Sequence, residues 1–280
     1  MKNALITGGN SGIGLATAQS LVQAGYDLIL LVRSHEKGET AKKQIQRACP
    51  KAPVEIVVAD LEDLHSVQKA VVEIRAKCTQ LNRLINNAGY SPDAIAFNEQ
   101  GYEKSFVANH LGHFVLTTGL LDLLAQSGEG RIINVSSMAL NLGKFARFFE
   151  KNNTQMSAFS AYGDGKLANA LFAKILSQRL NQQPITAYSL HPGVVSTGFG
   201  SNFTGIGKVL VGLARPFMIN TEQGAATSIY LATTPLENIK KYNGGFFAKS
   251  KPKNVAHRDF TEANAALLWT KSEAAAADML

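Results

Sequence analysis

Short apolar runs alternate with longer segments of helical period along the first 190 residues. The apolar runs are nearly unbroken, as is typical of strands that are covered on both faces of a parallel sheet. They occupy residues 4–7, 27–32, 54–59, 83–86, 131–135 and 185–190. Segments with helical spacing lie between them, at 14–24, 36–48, 64–78, 106–124 and 162–180. This alternation predicts a doubly wound sheet with right-handed crossovers and helices on both faces.

No linker, internal repeat or low-complexity tract interrupts the pattern, and a further helix at 222–232 and a seventh strand at 244–248 complete it. We therefore expect an α/β fold, a single-domain Rossmann-type sheet of about seven strands that spans residues 1–280. Two insertions, near 138–161 and 198–220, stand where such folds carry substrate-recognition loops. The apolar stretch 209–219 in the second fits a lid and a buried helix equally well.

The composition excludes several classes of protein. A chain of 280 residues with 45% hydrophobic and 18% charged residues can bury a core, so disorder is not expected. The two cysteines, Cys49 and Cys78, form no disulfide framework or zinc motif, which favours a reducing compartment. The first apolar run is too short, and too soon followed by glycines, for a secretion signal or membrane span. We expect a cytoplasmic protein without a transmembrane anchor.

The net charge of +7 is concentrated in one stretch. Residues 240–258 contain six lysines and arginines and no acidic residue. A solvated loop is the favoured interpretation, and weak contact with an anionic surface is the alternative. Nucleic-acid binding is not expected, because only Tyr242, Phe246 and Phe247 are available there to stack on bases.

A glycine-rich turn, Thr7 to Gly14, separates the first strand from the first helix. Glycines there let a pyrophosphate approach the backbone, and the helix N-terminus supplies unpaired N–H groups. The spacing of Gly8, Gly12 and Gly14 is not the G-x-G-x-x-G fingerprint, but its position favours phosphate binding over a purely structural turn. Arg33 follows the second strand, where an acidic residue would favour NAD. A guanidinium suits a 2′-phosphate, so NADP(H) is preferred, with NAD(H) and a merely exposed arginine as alternatives.

Tyr162 and Lys166 are four residues apart and therefore share one face of a helix. A tyrosine with an ordinary pKa near 10 is a poor acid or base at neutral pH, and a nearby cation lowers that pKa. The pair alone is common and mostly structural. Its companions make it specific: Asn86-Asn-Ala-Gly89 after the fourth strand, Asn109 in the next helical segment, and Ser136-Ser137 after the fifth strand.

With these motifs in register, the chain resembles the short-chain dehydrogenase/reductase family, and most closely its retinol-dehydrogenase-like branch. The segments that carry the resemblance are 7–14, 60–61, 86–89, 109–117, 135–137, 162–169 and 191–197. The resemblance implies that Tyr162 is the general acid or base at a carbonyl oxygen, and that Ser137, rather than Ser136, hydrogen-bonds the same oxygen. Lys166 would lower the pKa of Tyr162 and hold the nicotinamide ribose, and Asn109 would anchor a water that relays the proton.

The resemblance also implies which residues bind the cofactor. Asp60 and Leu61 would contact the adenine, and Thr197 the nicotinamide amide. With Arg33, Tyr162 and Lys166, the full expected set is Gly8, Asn10, Ser11, Gly12, Ile13, Gly14, Asp60, Leu61, Asn87, Ala88, Gly89, Pro192, Gly193, Val195 and Thr197. No metal site is expected, because His110 and His113 have no evident third ligand and are better explained as structural, as is His191.

The expected substrate is a small apolar carbonyl compound or the corresponding alcohol. Four phenylalanines of the first insertion, Phe145, Phe148, Phe149 and Phe159, could line its pocket or pack in the core. Gly165 stands where relatives often carry serine, which removes no catalytic atom. The alternative function is a catalytically silent NADP(H)-binding sensor or interaction protein. A homodimer or homotetramer is expected from the resemblance only.

Overall fold

The computed structural model describes residues 2–194 and 219–279, and its strands form one continuous sheet. The strands are Lys2–Thr7 (β1), Tyr26–Val32 (β2), Val54–Val58 (β3), Arg83–Asn86 (β4), Gly130–Val135 (β5), Ile185–His191 (β6), Phe246–Ala248 (β7) and Lys251–Pro252 (β8). Their order is β3-β2-β1-β4-β5-β6-β7-β8, and only β7 and β8 pair antiparallel. The predicted parallel α/β sheet is confirmed, with the two-residue β8 added to the expected seven strands.

Helices cover both faces of this sheet. They are Gly12–Gln23 (α1), His35–Ala48 (α2), Leu64–Lys77 (α3), Lys104–Phe106 (α4), Gly112–Thr118 (α5), Leu121–Gln126 (α6), Ala158–Arg179 (α7), Thr221–Thr233 (α8), Leu236–Ile239 (α9) and Glu262–Ala275 (α10). Short 3-10 turns add Met138–Leu142, Phe145–Arg147, Lys240–Tyr242 and Ala277–Met279.

The core forms two layers, one on each face of the sheet. Leu5 packs in the layer beneath α3, α5, α7 and α10, whereas its neighbour Ile6 packs in the layer beneath α1, α2 and α8. Leu84 and Ile85 of β4 divide in the same way. Because successive strand residues point to opposite faces, a sheet covered on both sides requires the unbroken apolar runs of the sequence.

The prediction of a single helix at 106–124 is wrong. The chain there forms α4, a π-helical turn at Val107–Leu111, then α5 and α6. In the π turn the N–H of Gly112 donates to the carbonyl of Val107, one residue further back than in an α-helix. No particular residue type marks the extra residue, so the sequence alone does not reveal it. Such turns frequently mark functional sites.

The structure describes all of the first predicted insertion but only the end of the second. The first carries the 3-10 turns Met138–Leu142 and Phe145–Arg147 and then leads into α7. Phe148 is buried against Phe106 of α4, and Phe145 and Phe149 pack beside it, so these three rings belong to the core. Phe159 is 42% exposed. Residues 198–218 of the second insertion lie outside the described part of the chain, as do Val195 and Thr197.

Candidate active site

A cleft of about 870 Å³ opens at the carboxyl ends of the strands, where the strand order reverses between β1 and β4. Most of the residues expected at the site line it together. They are Gly8, Asn10, Ser11, Gly12, Ile13, Gly14, Arg33, Asp60, Leu61, Asn87, Ala88, Gly89, Ser137, Tyr162, Lys166, Pro192 and Gly193. Asn109 lies behind the wall, as described below.

The glycine-rich turn forms a close cradle at the start of α1. Gly8 and Gly12 have φ values of +64° and +54°, which L side chains rarely adopt. A Cβ on Gly14 would collide with the carbonyl oxygen of Gly8. Since α1 begins at Gly12, its first N–H groups face this cradle without helical partners. These features fit the pyrophosphate of a dinucleotide.

The far end of the cleft carries more positive charge than Arg33 alone. Ser34 caps α2 by accepting a hydrogen bond from the N–H of Lys37, and both residues line the cleft beside Arg33. Neither Ser34 nor Lys37 was predicted as a site residue, although the sequence shows Ser34 in a position to cap the helix that contains Lys37. Glu62 also lines this end, where burial and the charge of Asp60 raise its pKa and the charges of Lys104 and Arg33 act in the opposite direction.

Tyr162 and Ser137 meet at the centre of the cleft. Tyr162 lies near the start of α7 and Ser137 follows β5, and the two side chains line the cleft together. Ser136, in contrast, is buried and donates to the backbone carbonyl of Lys166 at 2.6 Å. The two serines thus divide into Ser137, which lines the cleft with the tyrosine, and Ser136, which fastens β5 to α7.

Lys166 lies one turn further along α7, with its ammonium 5.4 Å from the centroid of the Tyr162 ring. Its Nζ donates to the carbonyl of Val135 at 3.1 Å, and burial lowers its pKa to about 8. Burial raises the pKa of Tyr162 to about 12, and the Ser137 side chain acts in the opposite direction. Desolvation of the phenolate is the larger of these two effects.

Asn109 belongs to the π-helical turn, and its side chain does not line the cleft. Its amide is held by the backbone of Tyr90, with Nδ2 donating to the carbonyl at 2.7 Å and Oδ1 accepting from the N–H at 3.0 Å. A Cβ on Gly165 of α7 would lie 2.9 Å from the Asn109 Cβ, so this glycine permits the close approach of the two elements. Asn109 thus fixes the segment that follows Gly89.

Thr7 joins the ends of β1 and β4. Its Oγ1 accepts hydrogen bonds of 2.9 Å from the N–H groups of both Asn87 and Ala88. The Asn87 amide donates back to the carbonyl of Thr7 at 2.8 Å. The glycine-rich turn and the Asn87–Gly89 wall are therefore held as one unit on which a cofactor can rest.

The mouth of the cleft is apolar. Tyr90, Leu142, Phe159 and Val194 line it and are each between 37% and 47% exposed. Single exposed apolar side chains are ordinary, but four around one opening suggest contact with an apolar ligand.

The buried histidines have structural partners. His191 accepts a hydrogen bond of 3.3 Å from the N–H of Met138, which supports the turn after Ser137, and the Nε2 of His110 lies 2.8 Å from the Ser272 hydroxyl. Within residues 2–194 and 219–279, no group of three histidine, cysteine, aspartate or glutamate side chains is arranged to hold a metal ion.

Comparison with known proteins relates this architecture to a family. The family model described as short chain dehydrogenase matches residues 2–205. Retinol dehydrogenase 12 of Mus musculus is 37% identical, over 97% of this chain and 85% of its own length. The chloroplastic short-chain dehydrogenase TIC 32 A of Brassica napus is 36% identical, over 90% of this chain and 82% of its own length.

Solved structures show the same fold. The NADPH-bound carbonyl reductase from chicken fatty liver superimposes with a TM-score of 0.68 at 22% identity, covering 91% of this chain and 99% of that chain. None of the helices in the described parts of the chain is long and apolar enough to cross a membrane.

Proposed function

The chain belongs to the short-chain dehydrogenase/reductase family, as an oxidoreductase of CH–OH and carbonyl groups, and from this premise we propose an NADP(H)-dependent enzyme that interconverts an apolar ketone or aldehyde with its alcohol. The observation that carries the proposal is that Tyr162 and Ser137 line the same cleft as the glycine-rich turn. This arrangement offers two hydroxyl donors to one carbonyl oxygen beside a phosphate cradle.

The nicotinamide cofactor, when bound, supplies a hydride to the carbonyl carbon or accepts one from the alcohol carbon. Negative charge then develops on the carbonyl oxygen during reduction, and preorganised donors stabilise it. Tyr162 transfers its proton to that oxygen, and Ser137 donates a hydrogen bond to it. A pKa of about 12 keeps the Tyr162 hydroxyl protonated at neutral pH, as the acid of the reduction requires.

Lys166 supports this proton transfer from behind the tyrosine. Its ammonium is buried, lies over the Tyr162 ring and is oriented by the Val135 carbonyl. A cation there favours the phenolate that Tyr162 becomes when its proton has left. Lys166 and Asn109 complete the expected catalytic set. Asn109 holds the cleft wall through its hydrogen bond to Tyr90. Its proposed second role is to bind the water that relays the proton.

The preference for NADP(H) over NAD(H) is supported by the charges at the far end of the cleft. Arg33 and Lys37 supply two cations and Ser34 a hydroxyl, a set that suits a 2′-phosphate. Glu62 on the same side opposes an additional phosphate, so the cations must outweigh it.

We also propose a compartment, a domain organisation, an assembly and a substrate class for this protein. Two free thiols, Cys49 and Cys78, suit the reducing, cytoplasmic compartment that we propose. A single domain and a homodimeric or homotetrameric assembly are proposed on the family resemblance. The four apolar residues at the mouth support an apolar substrate, and the names of the mammalian relatives add a retinoid aldehyde to the compounds to be tested.

The test is NADPH oxidation with a panel of aliphatic, aromatic and retinoid carbonyl compounds. Tyr162→Phe keeps the ring and removes the acidic proton, so we expect turnover to fall by about a hundredfold or more. NADPH binding, followed by its fluorescence, should stay within about twofold of the wild type. Full activity in the variant would remove the proposed mechanism, whereas tight NADPH binding by the wild type without any turnover would favour the silent sensor.

A further inference from the structure

A second, shallower cavity lies beside the active-site cleft and is cationic. It is lined by Asn141, Leu142, Gly143, Lys144, Arg147, Ser160, Ala256, His257 and Arg258. Three of these side chains are positively charged, and no carboxylate is among the lining residues that the structure describes. The amide of Asn141 and the hydroxyl of Ser160 add neutral donors.

Arg147 gives the cavity a guanidinium of fixed orientation. Its Nε donates to Oδ2 of Asp164 at 2.9 Å, a second nitrogen donates to Oδ1, and the same nitrogen donates to the carbonyl of Leu142 at 3.0 Å. The Asp164 carboxylate is 3% exposed and also accepts the N–H of Lys144. The first insertion is therefore fastened to α7, two residues from Tyr162.

The end of the basic stretch 240–258 forms the opposite wall. Nε2 of His257 lies 3.2 Å from the Gly143 carbonyl, which can only accept, and Nδ1 accepts the N–H of Asp259 at 3.1 Å. The imidazole thus connects the first insertion to the end of the basic stretch. Asp259 also accepts the N–H of Phe145 at 3.0 Å. These bonds hold Arg258 beside the insertion, with its side chain 76% exposed.

The charges do not cancel at this wall. Asp164 is behind Arg147, and Asp259 lies 3.6 Å from the guanidinium of Arg258, so each of these cations has one carboxylate. Lys144 is exposed and has no ion-pair partner within residues 2–194 and 219–279. Lys253, from the same basic stretch, reaches Sδ of Met138 at 3.6 Å on the active-site side of the insertion. A net positive charge therefore faces the cavity.

The cavity and the active-site cleft share a wall. Leu142 lines both, and the consecutive residues Phe159 and Ser160 of α7 line the cleft and the cavity respectively. A ligand whose apolar part lies along Leu142 and Phe159 would therefore extend from the Tyr162 hydroxyl to the cationic cavity.

We propose that this cavity binds an anionic group, a carboxylate or a phosphate, at the far end of the carbonyl substrate. The substrate class is then an amphipathic carbonyl compound, with its reacting carbonyl at Tyr162, an apolar middle along Leu142 and Phe159, and an anion near Lys144, Arg147 and Arg258. This inference rests on the proposed function, since it concerns the same site, and it gives the end of the basic stretch a role in recognition.

The test compares ω-oxo carboxylic acids of about six to twelve carbons with their methyl esters, and with ω-oxoalkyl phosphates, as substrates for NADPH-dependent reduction. Charge-assisted hydrogen bonds lead us to expect that kcat/KM of the best acid or phosphate exceeds that of its neutral counterpart by about tenfold or more. The better of the two anions identifies the group. Equal values for all anionic and neutral compounds would overturn the proposal.

The variant for this test is the double substitution Lys144→Gln and Arg258→Gln, which leaves Arg147 and its bond to Asp164 in place. We expect kcat/KM for the anionic substrate to fall about tenfold and that for the ester to stay within about twofold. The matched control, Lys240→Gln with Lys241→Gln, removes the same number of positive charges at the other end of the basic stretch, outside the cavity. An equal loss in the control, or an equal loss for acid and ester, would contradict a local anion site.

A direct measurement separates failure of this inference from failure of the proposed function. If the wild type reduces neither acid nor ester, the proposed function fails, and binding of inorganic phosphate by isothermal titration then tests the cavity by itself. Binding that is lost in the Lys144/Arg258 variant and kept in the Lys240/Lys241 control supports an anion site. Binding that is absent, or equal in both variants, overturns it.

Discussion

Oγ1 of Thr7 lies 2.9 Å from Nε2 of His113, and the hydrogen bond between them runs from the hydroxyl to the ring. Nδ1 of His113 lies 3.0 Å from the carbonyl of Asn109, which can only accept, so Nδ1 carries the ring proton. Burial lowers the pKa of His113 to about 4, and the neutral ring leaves Nε2 as an acceptor. The lone pairs of the Thr7 oxygen are then free for the two backbone N–H groups of the cleft wall.

Replacement of Thr7 should therefore lower the free energy of unfolding by more than the small size of its side chain suggests. Thr7→Val keeps the shape but leaves the N–H of Ala88 and Nε2 of His113 without a partner in a buried place, whereas the N–H of Asn87 keeps its bond to the carbonyl of Ile85. We expect a loss of about 2–4 kcal/mol in the free energy of unfolding and a weaker affinity for NADPH. Thr7→Ser is the matched control, since it keeps the hydroxyl and should lose about 1 kcal/mol or less. Urea unfolding and fluorescence titration measure both, and equal losses would contradict the hydrogen-bond argument.

The cofactor preference should depend on two cations of unequal weight. Arg33→Gln removes the guanidinium at the end of β2, and we expect the Kd for NADPH to rise about tenfold or more while that for NADH changes less than about twofold. Lys37→Gln should raise the NADPH Kd by a smaller factor, because a lysine binds phosphate as a flexible point charge.

The control for this pair is Lys43→Gln, an exposed lysine of α2 that does not line the cleft. It removes one charge from the same helix and should leave both dissociation constants within about twofold. If Arg33→Gln weakens NADH as much as NADPH, its role is general packing of the cleft rather than recognition of a 2′-phosphate.

The sheet was predictable because its physical cause is local. A strand buried on both faces needs an unbroken apolar run, as in Tyr26–Val32, and helices between such runs leave little choice of topology. The π turn at Val107–Leu111 was not predictable, since one additional residue in a helical turn changes hydrogen bonds without changing residue types.

Residues that belong to sequence motifs could be predicted as part of the candidate site. Contacts that depend on the packing of elements far apart in the sequence could not. Ser137, Tyr162 and the glycine-rich turn line one cleft. Lys37 resembled any exposed helical lysine, and its place beside Arg33 follows from how α2 packs on the sheet. The pKa of Tyr162 depends on burial, which residue spacing cannot give.

Acid should destabilise the fold through its buried histidines. Burial lowers the pKa of His110 to about 3 and that of His113 to about 4, whereas an unfolded histidine titrates near 6.5. The folded state thus resists protonation, so their contribution to stability is complete above about pH 6.5 and is lost as the pH falls toward 4. At pH 5 each histidine costs about 2 kcal/mol.

His110→Gln tests this pH dependence, because glutamine is polar and does not titrate. Its stability should decrease less steeply between pH 6.5 and 4 than that of the wild type, by up to about 1.4 kcal/mol per pH unit. His35→Gln, at the exposed start of α2, should follow the wild-type slope. A parallel slope for His110→Gln in urea unfolding at several pH values would mean that this histidine does not oppose protonation.

Lys166 should reduce stability at neutral pH while it supports activity. Lys166 is 2% exposed and burial lowers its pKa to about 8, so below that pH the folded state bears the cost of a buried charge. Lys166→Met removes the charge and retains most of the volume. The carbonyl of Val135 keeps a partner in the Asn169 amide at 3.2 Å, so no buried acceptor is left alone.

We therefore expect Lys166→Met to be inactive yet more stable than the wild type by about 1–3 kcal/mol at pH 7, at about 1.4 kcal/mol per unit of pKa shift. The lowered pKa of Lys166 determines how the free energy of unfolding changes with pH. Between pH 8 and 10.5 the unfolded wild type binds more protons than the folded one, so wild-type stability from this group rises with pH and the advantage of the variant disappears. Thermal unfolding at pH 7 and pH 10 measures the difference. A variant less stable than the wild type at pH 7 would show that the ammonium is well compensated and that Lys166 stabilises the fold.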